Sequence, residues 1–119
     1  MDRQDKGALG EDIAINYLIK QGFRLLEHGF RCRNGEVDII AEKDGELYFI
    51  EVKTRWSLAC GNPLEAVTYH KQRQVINAAK FYLMKKKKND AFCHLSAIGI
   101  DMSAGEPTIE FIKDAFEAN

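Results

Sequence analysis

Apolar residues recur at helical spacing from about Asp5 to Gln21, where Leu9, Ile13 and Tyr17, with Ala14 and Leu18, share one side of the turn and Gly22 supplies a C-terminal cap. This pattern predicts a first helix. From Phe23 to Cys32 the composition becomes β-like, interrupted by Gly29, and Arg31-Cys32-Arg33-Asn34-Gly35 reads as a turn. Val37 to Glu42 and Leu47 to Val52 alternate as strands on either side of Asp44-Gly45, a dipeptide suited to the positive φ angles of a two-residue hairpin loop. Asn62-Pro63-Leu64-Glu65 reads as a helix start, with Asn at the N-cap, Pro at the first helical position and Glu three residues on. Leu64, Val67, Val75, Ala78, Ala79 and Tyr82 then carry an apolar stripe, broken at Lys71, along one long helix expected to run close to Lys88. Phe92 to Ile100 and Thr108 to Ile112 are two further strands, punctuated by Gly105-Glu106-Pro107. The order α-β-β-β-α-β-β predicts one α/β domain over residues 1–119 with a mixed sheet.

The hairpin carries the chemistry. If Asp44 and Gly45 are the loop, Lys43 faces Glu46, and the register sets Ile40 opposite Phe49, Asp38 opposite Glu51 and Glu36 opposite Lys53 on one face. Val37, Ile39, Ala41, Tyr48, Ile50 and Val52 line the other. Asp38 and Glu51 fall at a non-hydrogen-bonded position, where opposing Cα atoms stand only about 4.5 Å apart and like charges repel. A shared proton, as in an acid/base dyad, or a divalent cation would relieve that repulsion. Magnesium suits the pair better, since it takes one or two carboxylates and leaves its other positions to water and a substrate phosphate. Lys53 points to the same face, where it could orient a water or stabilise charge on phosphorus, and Glu36 extends the acidic cluster. A solvated, salt-bridged strand face is the plainer alternative. Against it, Ile40, Leu47 and Phe49 continue the same face and require a helix over them, which puts the charges at the edge of a packed layer.

Composition narrows the class. The 119 residues are 45% hydrophobic and 29% charged, which excludes disordered, collagen-like and low-complexity chains. No stretch approaches the ~18 apolar residues of a membrane span, and no apolar run follows the N-terminal residues, so a cytoplasmic protein is expected. Cys32, Cys60 and Cys93 form no CxxC pair and are expected as reduced thiols; His28 and Cys32 lack a second pair to complete a zinc site. The net charge is only -1, yet nine basic residues face one acidic residue between Val52 and Lys88. Part of that excess, Lys85 to Lys88, is explained as a solvated helix C-terminus.

Gly10-Glu11 in the first helix, Gly35-Glu36-Val37-Asp38-Ile39-Ile40, Phe49-Ile50-Glu51-Val52-Lys53-Thr54-Arg55 and the stretch from Pro63 through Lys71 together resemble the YraN family. That family consists of endonuclease-like proteins in the PD-(D/E)xK nuclease superfamily, related to archaeal Holliday-junction resolvases. The resemblance covers nearly the whole chain. It implies a restriction-endonuclease-like fold, with metal held by Asp38, Glu51 and the Val52 carbonyl, Lys53 catalytic and Glu11 completing the site. The strand after the long helix departs from the family pattern, with His94-Leu95-Ser96 where an acidic residue is often found.

The expected function is magnesium- or manganese-dependent phosphodiester hydrolysis on DNA, ahead of RNA, with branched or single-stranded DNA as substrate. Arg31, Arg33, Arg55, His70, Lys71 and Arg73 are candidate phosphate contacts, and Trp56 could stack on an unpaired base. Cleavage of a junction on two strands would favour a homodimer. The alternative is a non-catalytic nucleic-acid-binding module that keeps the nuclease fold. A small-metabolite enzyme ranks last, because no phosphate-cradling glycine loop or cofactor motif is present.

Overall fold

The computed structural model describes residues 3–57, 59 and 61–118. Cys60 lies outside them, and Cys32 and Cys93 are free thiols. Helix α1 (Arg3–Lys20) leads into strands β1 (Arg24–Cys32), β2 (Gly35–Lys43) and β3 (Glu46–Arg55). A 3₁₀ turn (Pro63–Ala66), helix α2 (Tyr69–Lys85) and strands β4 (Cys93–Asp101) and β5 (Thr108–Ile112) follow. The five strands lie side by side in chain order. Only β3 and β4 are parallel, joined by the crossover through α2, so the sheet is mixed and flanked by helices.

The hairpin turn forms as the sequence predicts. Asp44 (φ 53°) and Gly45 (φ 80°) both adopt positive φ, and Lys43 pairs with Glu46. Along β3 the side chains alternate between two cores. Tyr48, Ile50 and Val52 join Ala14 and Leu18 under α1, whereas Leu47 and Phe49 join Val75, Ala78 and Tyr82 under α2. The face of Ile40, Leu47 and Phe49 therefore has its covering helix.

Four features differ from expectation. The β2–β3 ladder stops at Ile39–Ile50, before Asp38 would meet Glu51, and Val37 packs under α2 together with Ile40 instead of sharing the face of Ile39. The two strands separate there because β2 stays with β1 while β3 stays with β4 out to Arg55. The long helix is also two elements. Asn62 does cap the start, its Oδ1 accepting from the Leu64 N–H at 2.9 Å, but only a 3₁₀ turn follows. Val67 leaves helical geometry (ψ 83°), and Thr68 caps α2 afresh by accepting from the Lys71 N–H at 3.2 Å. A β-branched pair with a good N-cap residue in second place favours that restart. Helix α2 ends at Lys85, with Lys87 left-handed at φ 57°, and Lys85 to Lys88 are all exposed. Strand β1 is continuous through Gly29, which takes φ 68°, and bulges between Leu25 and Glu27.

Two close approaches set the helices against the strands that bear the acidic residues. A Cβ on Gly10 would stand 2.2 Å from Oγ1 of Thr54, so α1 crosses β3 at that glycine and brings Glu11 beside it. A Cβ on Gly35 would stand 2.3 Å from the Gln74 carbonyl oxygen, so β2 begins against the backbone of α2.

Candidate active site

Where β2 and β3 part, Asp38 turns its carboxylate into the gap, and Oδ2 accepts the Val52 N–H at 2.8 Å. In a continued ladder that N–H would bond to a β2 carbonyl; here the side chain takes it, which fixes Asp38 beside Glu51. Glu51 follows Leu47 and Phe49 toward α2 and is fully buried, at 0% exposure. Neither of its carboxylate oxygens has a hydrogen bond. Lys71 stands beside it as a cation, its Nζ 3.2 Å from Oε2. Burial first, then the adjacent Asp38 carboxyl, push the Glu51 pKa up to about 8, with Lys71 opposing.

Lys71 reaches in from the first turn of α2 and also donates to Oε1 of Glu36 at 2.8 Å. That bond is the main cause of a lowered pKa at Glu36, and Arg31 and Lys53 add to it. Burial works against charge on Lys71 itself, but Glu36 and Glu51 outweigh it and hold the ammonium above its ordinary pKa. From the other side of the sheet, Glu11 lies 2.7 Å from Nε2 of His28 on β1. A cleft of about 430 Å3 joins these groups, lined by Glu11, Asp38, Glu51, Lys53, Trp56 and Lys71 among others. It opens at the carboxyl end of the parallel pair, where open α/β sheets commonly bind ligands.

The structure thus brings together Glu11, Asp38, Glu51, Val52 and Lys53 around one cleft, with Glu36 tied to it through Lys71. Among the described residues no three His, Cys, Asp or Glu side chains stand close enough to enclose an ion. The acidic centre is the pair Asp38 and Glu51, and Glu11 is turned to His28.

The candidate phosphate contacts divide. Arg31 is 80% exposed in its side chain and lies 3.4 Å from Glu36, while Arg33 and His70 are exposed and Arg73 is half-buried. Arg55 is engaged within the fold: it pairs with Asp101 and donates to the Gly61 carbonyl at 2.9 Å. Asp101 is held well below the usual carboxylate range by Arg55 and by Ser103. Trp56 stands half-buried on the cleft wall. Ser96 is buried and donates to the Lys113 carbonyl, so it belongs to the β4 packing.

Two site residues escaped the sequence reading in these roles. Lys71 had a signal, since it broke an apolar stripe and therefore had to face the sheet. His28 had only its place on β1, opposite Ile39 and hence toward α1.

Residues 10–100 match the model of a family described as Uncharacterised protein family UPF0102. The chain belongs to that family. A UPF0102 protein of Clostridium perfringens is 46% identical over 112 residues, 92% of each chain. Another, from Trichlorobacter lovleyi, is 46% identical over 116 residues, 96% of this chain and 91% of its own. Among solved structures, Pyrococcus furiosus SfsA in complex with Ca2+ aligns with a TM-score of 0.40 at 13% identity, over 94% of this chain and 63% of that one. The UPF0102 match spans the Glu11, Asp38, Glu51 and Lys53 positions. No helix among the described residues is long and apolar enough to cross a membrane.

Proposed function

We propose that this UPF0102 protein is a metal-dependent DNA phosphodiesterase of the PD-(D/E)xK type with a restriction-endonuclease-like fold. One observation carries the reading: a fully buried glutamate, without a hydrogen bond to either oxygen, set beside a second carboxylate at the mouth of a split in the sheet. Burial and the Asp38 carboxyl disfavour its charged form and Lys71 meets that charge from one side only, so an ion shared by Glu51 and Asp38 would complete the compensation. Oxygen-only donors in a small number suit magnesium or manganese, which keep several waters and take one or two carboxylates. Asp38 and Glu51 would hold the ion, with the Val52 carbonyl and Glu11 as further oxygen donors. When bound, such an ion neutralises phosphate charge and lowers the pKa of water.

The chain's own groups do the rest. Asp38 is locked by the Val52 N–H, so its free oxygen keeps one orientation. Lys53, two residues beyond Glu51 on the same strand, brings an ammonium to the cleft, where it stabilises charge growing on the phosphate oxygens. Lys71 offsets Glu36 and Glu51 and keeps the acidic cluster from repelling a phosphate outright. Water attacks phosphorus and releases a proton to solvent, the bond to the leaving sugar oxygen breaks, and that oxygen takes up a proton from solvent, so that one water is added across the P–O bond.

A second reading has its own observation. Lys71 already stands at Glu51 as a cation, which suits a nucleic-acid-binding module that never cleaves. Cleavage of labelled junction, flap and single-stranded DNA in magnesium, manganese, calcium or EDTA separates the two. The nuclease reading expects turnover in magnesium or manganese, none in calcium or EDTA, and loss of turnover with retained DNA binding in Asp38→Asn and Lys53→Ala. Turnover that survives in EDTA or in Asp38→Asn overturns it, and absence of turnover on every substrate leaves the binding module.

A further inference from the structure

The cleft has an aromatic wall that the hydrolytic chemistry does not use. Trp56 lines it next to Lys53 and Thr54, and Nζ of Lys6 on α1 sits 5.5 Å from the centre of the indole. A lysine over an indole face is held by the ring's negative face, and at a partly exposed site that hold is weak. That is weak enough for a flat ligand to displace it.

The backbone on the N-terminal side of Trp56 is tied down. Immediately before it, the Arg55 carbonyl accepts the Met102 N–H at 2.7 Å, and the Arg55 side chain pairs with Asp101 on β4. The same guanidinium donates to the carbonyl of Gly61. Trp56 thus follows directly on an anchored strand end, which reduces the backbone ordering that binding must supply.

At about 430 Å3 the cleft has room for a ligand of about the size of one nucleotide. A strand threading it would set a phosphate against Lys53 and the carboxylate pair and a neighbouring base against the indole. Every base has a π-face, so such a seat tolerates sequence but requires the base to be unpaired.

We propose that Trp56 is the seat of an unpaired nucleobase beside the reacting phosphate, with Lys6 as the cation the base displaces, so that this protein selects single-stranded or flapped strands over continuous duplex. The proposal rests on the nucleic-acid reading of the cleft but not on cleavage. Trp56 is the chain's single tryptophan, so its fluorescence reports this seat alone. In calcium, and again in EDTA, a single-stranded oligonucleotide should quench Trp56 emission, while a blunt duplex of the same sequence, or a single strand with abasic sites, should quench little. Anisotropy of labelled oligonucleotides should show Trp56→Ala losing about 5- to 150-fold in affinity for the single strand, the range expected for one stacked base, with the duplex unaffected and Trp56→Phe keeping most of the affinity. Lys6→Met should leave the quench in place. A melting temperature for each variant matched to the parent shows that the fold is retained.

Equal quenching by single strand, abasic strand and duplex overturns the proposal, as does a Trp56→Ala affinity that is unchanged or falls equally on single strand and duplex. Stacking without turnover on any substrate removes the nuclease reading and keeps this seat; turnover without stacking does the reverse.

Discussion

Glu51 should make the metal-free protein less stable as pH rises, and the size of the effect follows from its surroundings. Its pKa is raised from 4.5 to about 8, so the folded chain binds a proton there that the unfolded chain has already released. Between those two values stability falls with increasing pH, and above the folded pKa the loss is complete. At about 1.4 kcal/mol for each unit, the limit is about 5 kcal/mol, and local relaxation around the ionised acid brings the expected loss to about 2–5 kcal/mol. Glu36, whose pKa is lowered, and Lys71, whose pKa is raised, act outside this window: the first contributes stability lost below about pH 4.5 and the second stability lost above about pH 10.5. Urea denaturation in EDTA at pH 5 and pH 8.5 isolates the Glu51 contribution when wild type is compared with Glu51→Gln. Glutamine copies the protonated acid, so the two should match at pH 5, and the variant should be more stable by about 2–5 kcal/mol at pH 8.5. Manganese or magnesium should close that gap for wild type only, by roughly 2.7 kcal/mol at a hundredfold excess over its dissociation constant. An identical pH dependence in the two proteins would refute the assignment of a protonated Glu51.

Asp38→Ala strands the Val52 N–H and should cost about 1–3 kcal/mol in urea denaturation, whereas Asp38→Asn keeps an acceptor and should cost under half of that. Gly35→Ala drives a methyl onto the backbone of α2 at Gln74, which no rotamer change relieves; a loss of about 3 kcal/mol or more, or failure to fold, is expected from thermal melting. Lys71→Ala should leave the salt dependence of DNA affinity unchanged, because its ammonium is already held by Glu36 and Glu51, whereas a phosphate contact would lower the slope of log affinity on log salt by about 0.9 on duplex.

What could be read from the chain alone was whatever depended on local periodicity. Asp44-Gly45 set the hairpin register, and that register sorted Leu47 and Phe49 from Tyr48, Ile50 and Val52 before either helix was placed. It failed at Asp38 because a ladder's end is decided by competition between neighbours: β1 holds β2 and β4 holds β3, and no period in β2 or β3 records where the two pairs diverge. The failure falls at the centre of the cleft. Had the ladder run on, the Val52 N–H would have been satisfied by backbone and Asp38 would have pointed squarely at Glu51 in open repulsion. Ending it frees that N–H for the Asp38 carboxylate, which relieves part of the repulsion and leaves Glu51 as the acid without a hydrogen bond. The division of α2 has the same consequence, since Thr68 restarts the helix at a phase that sends Lys71, a lysine within an otherwise apolar stripe, to that acid. The departures from simple pattern therefore coincide with the carboxylate cluster, as expected where a fold gives up local regularity to hold a reactive group in place.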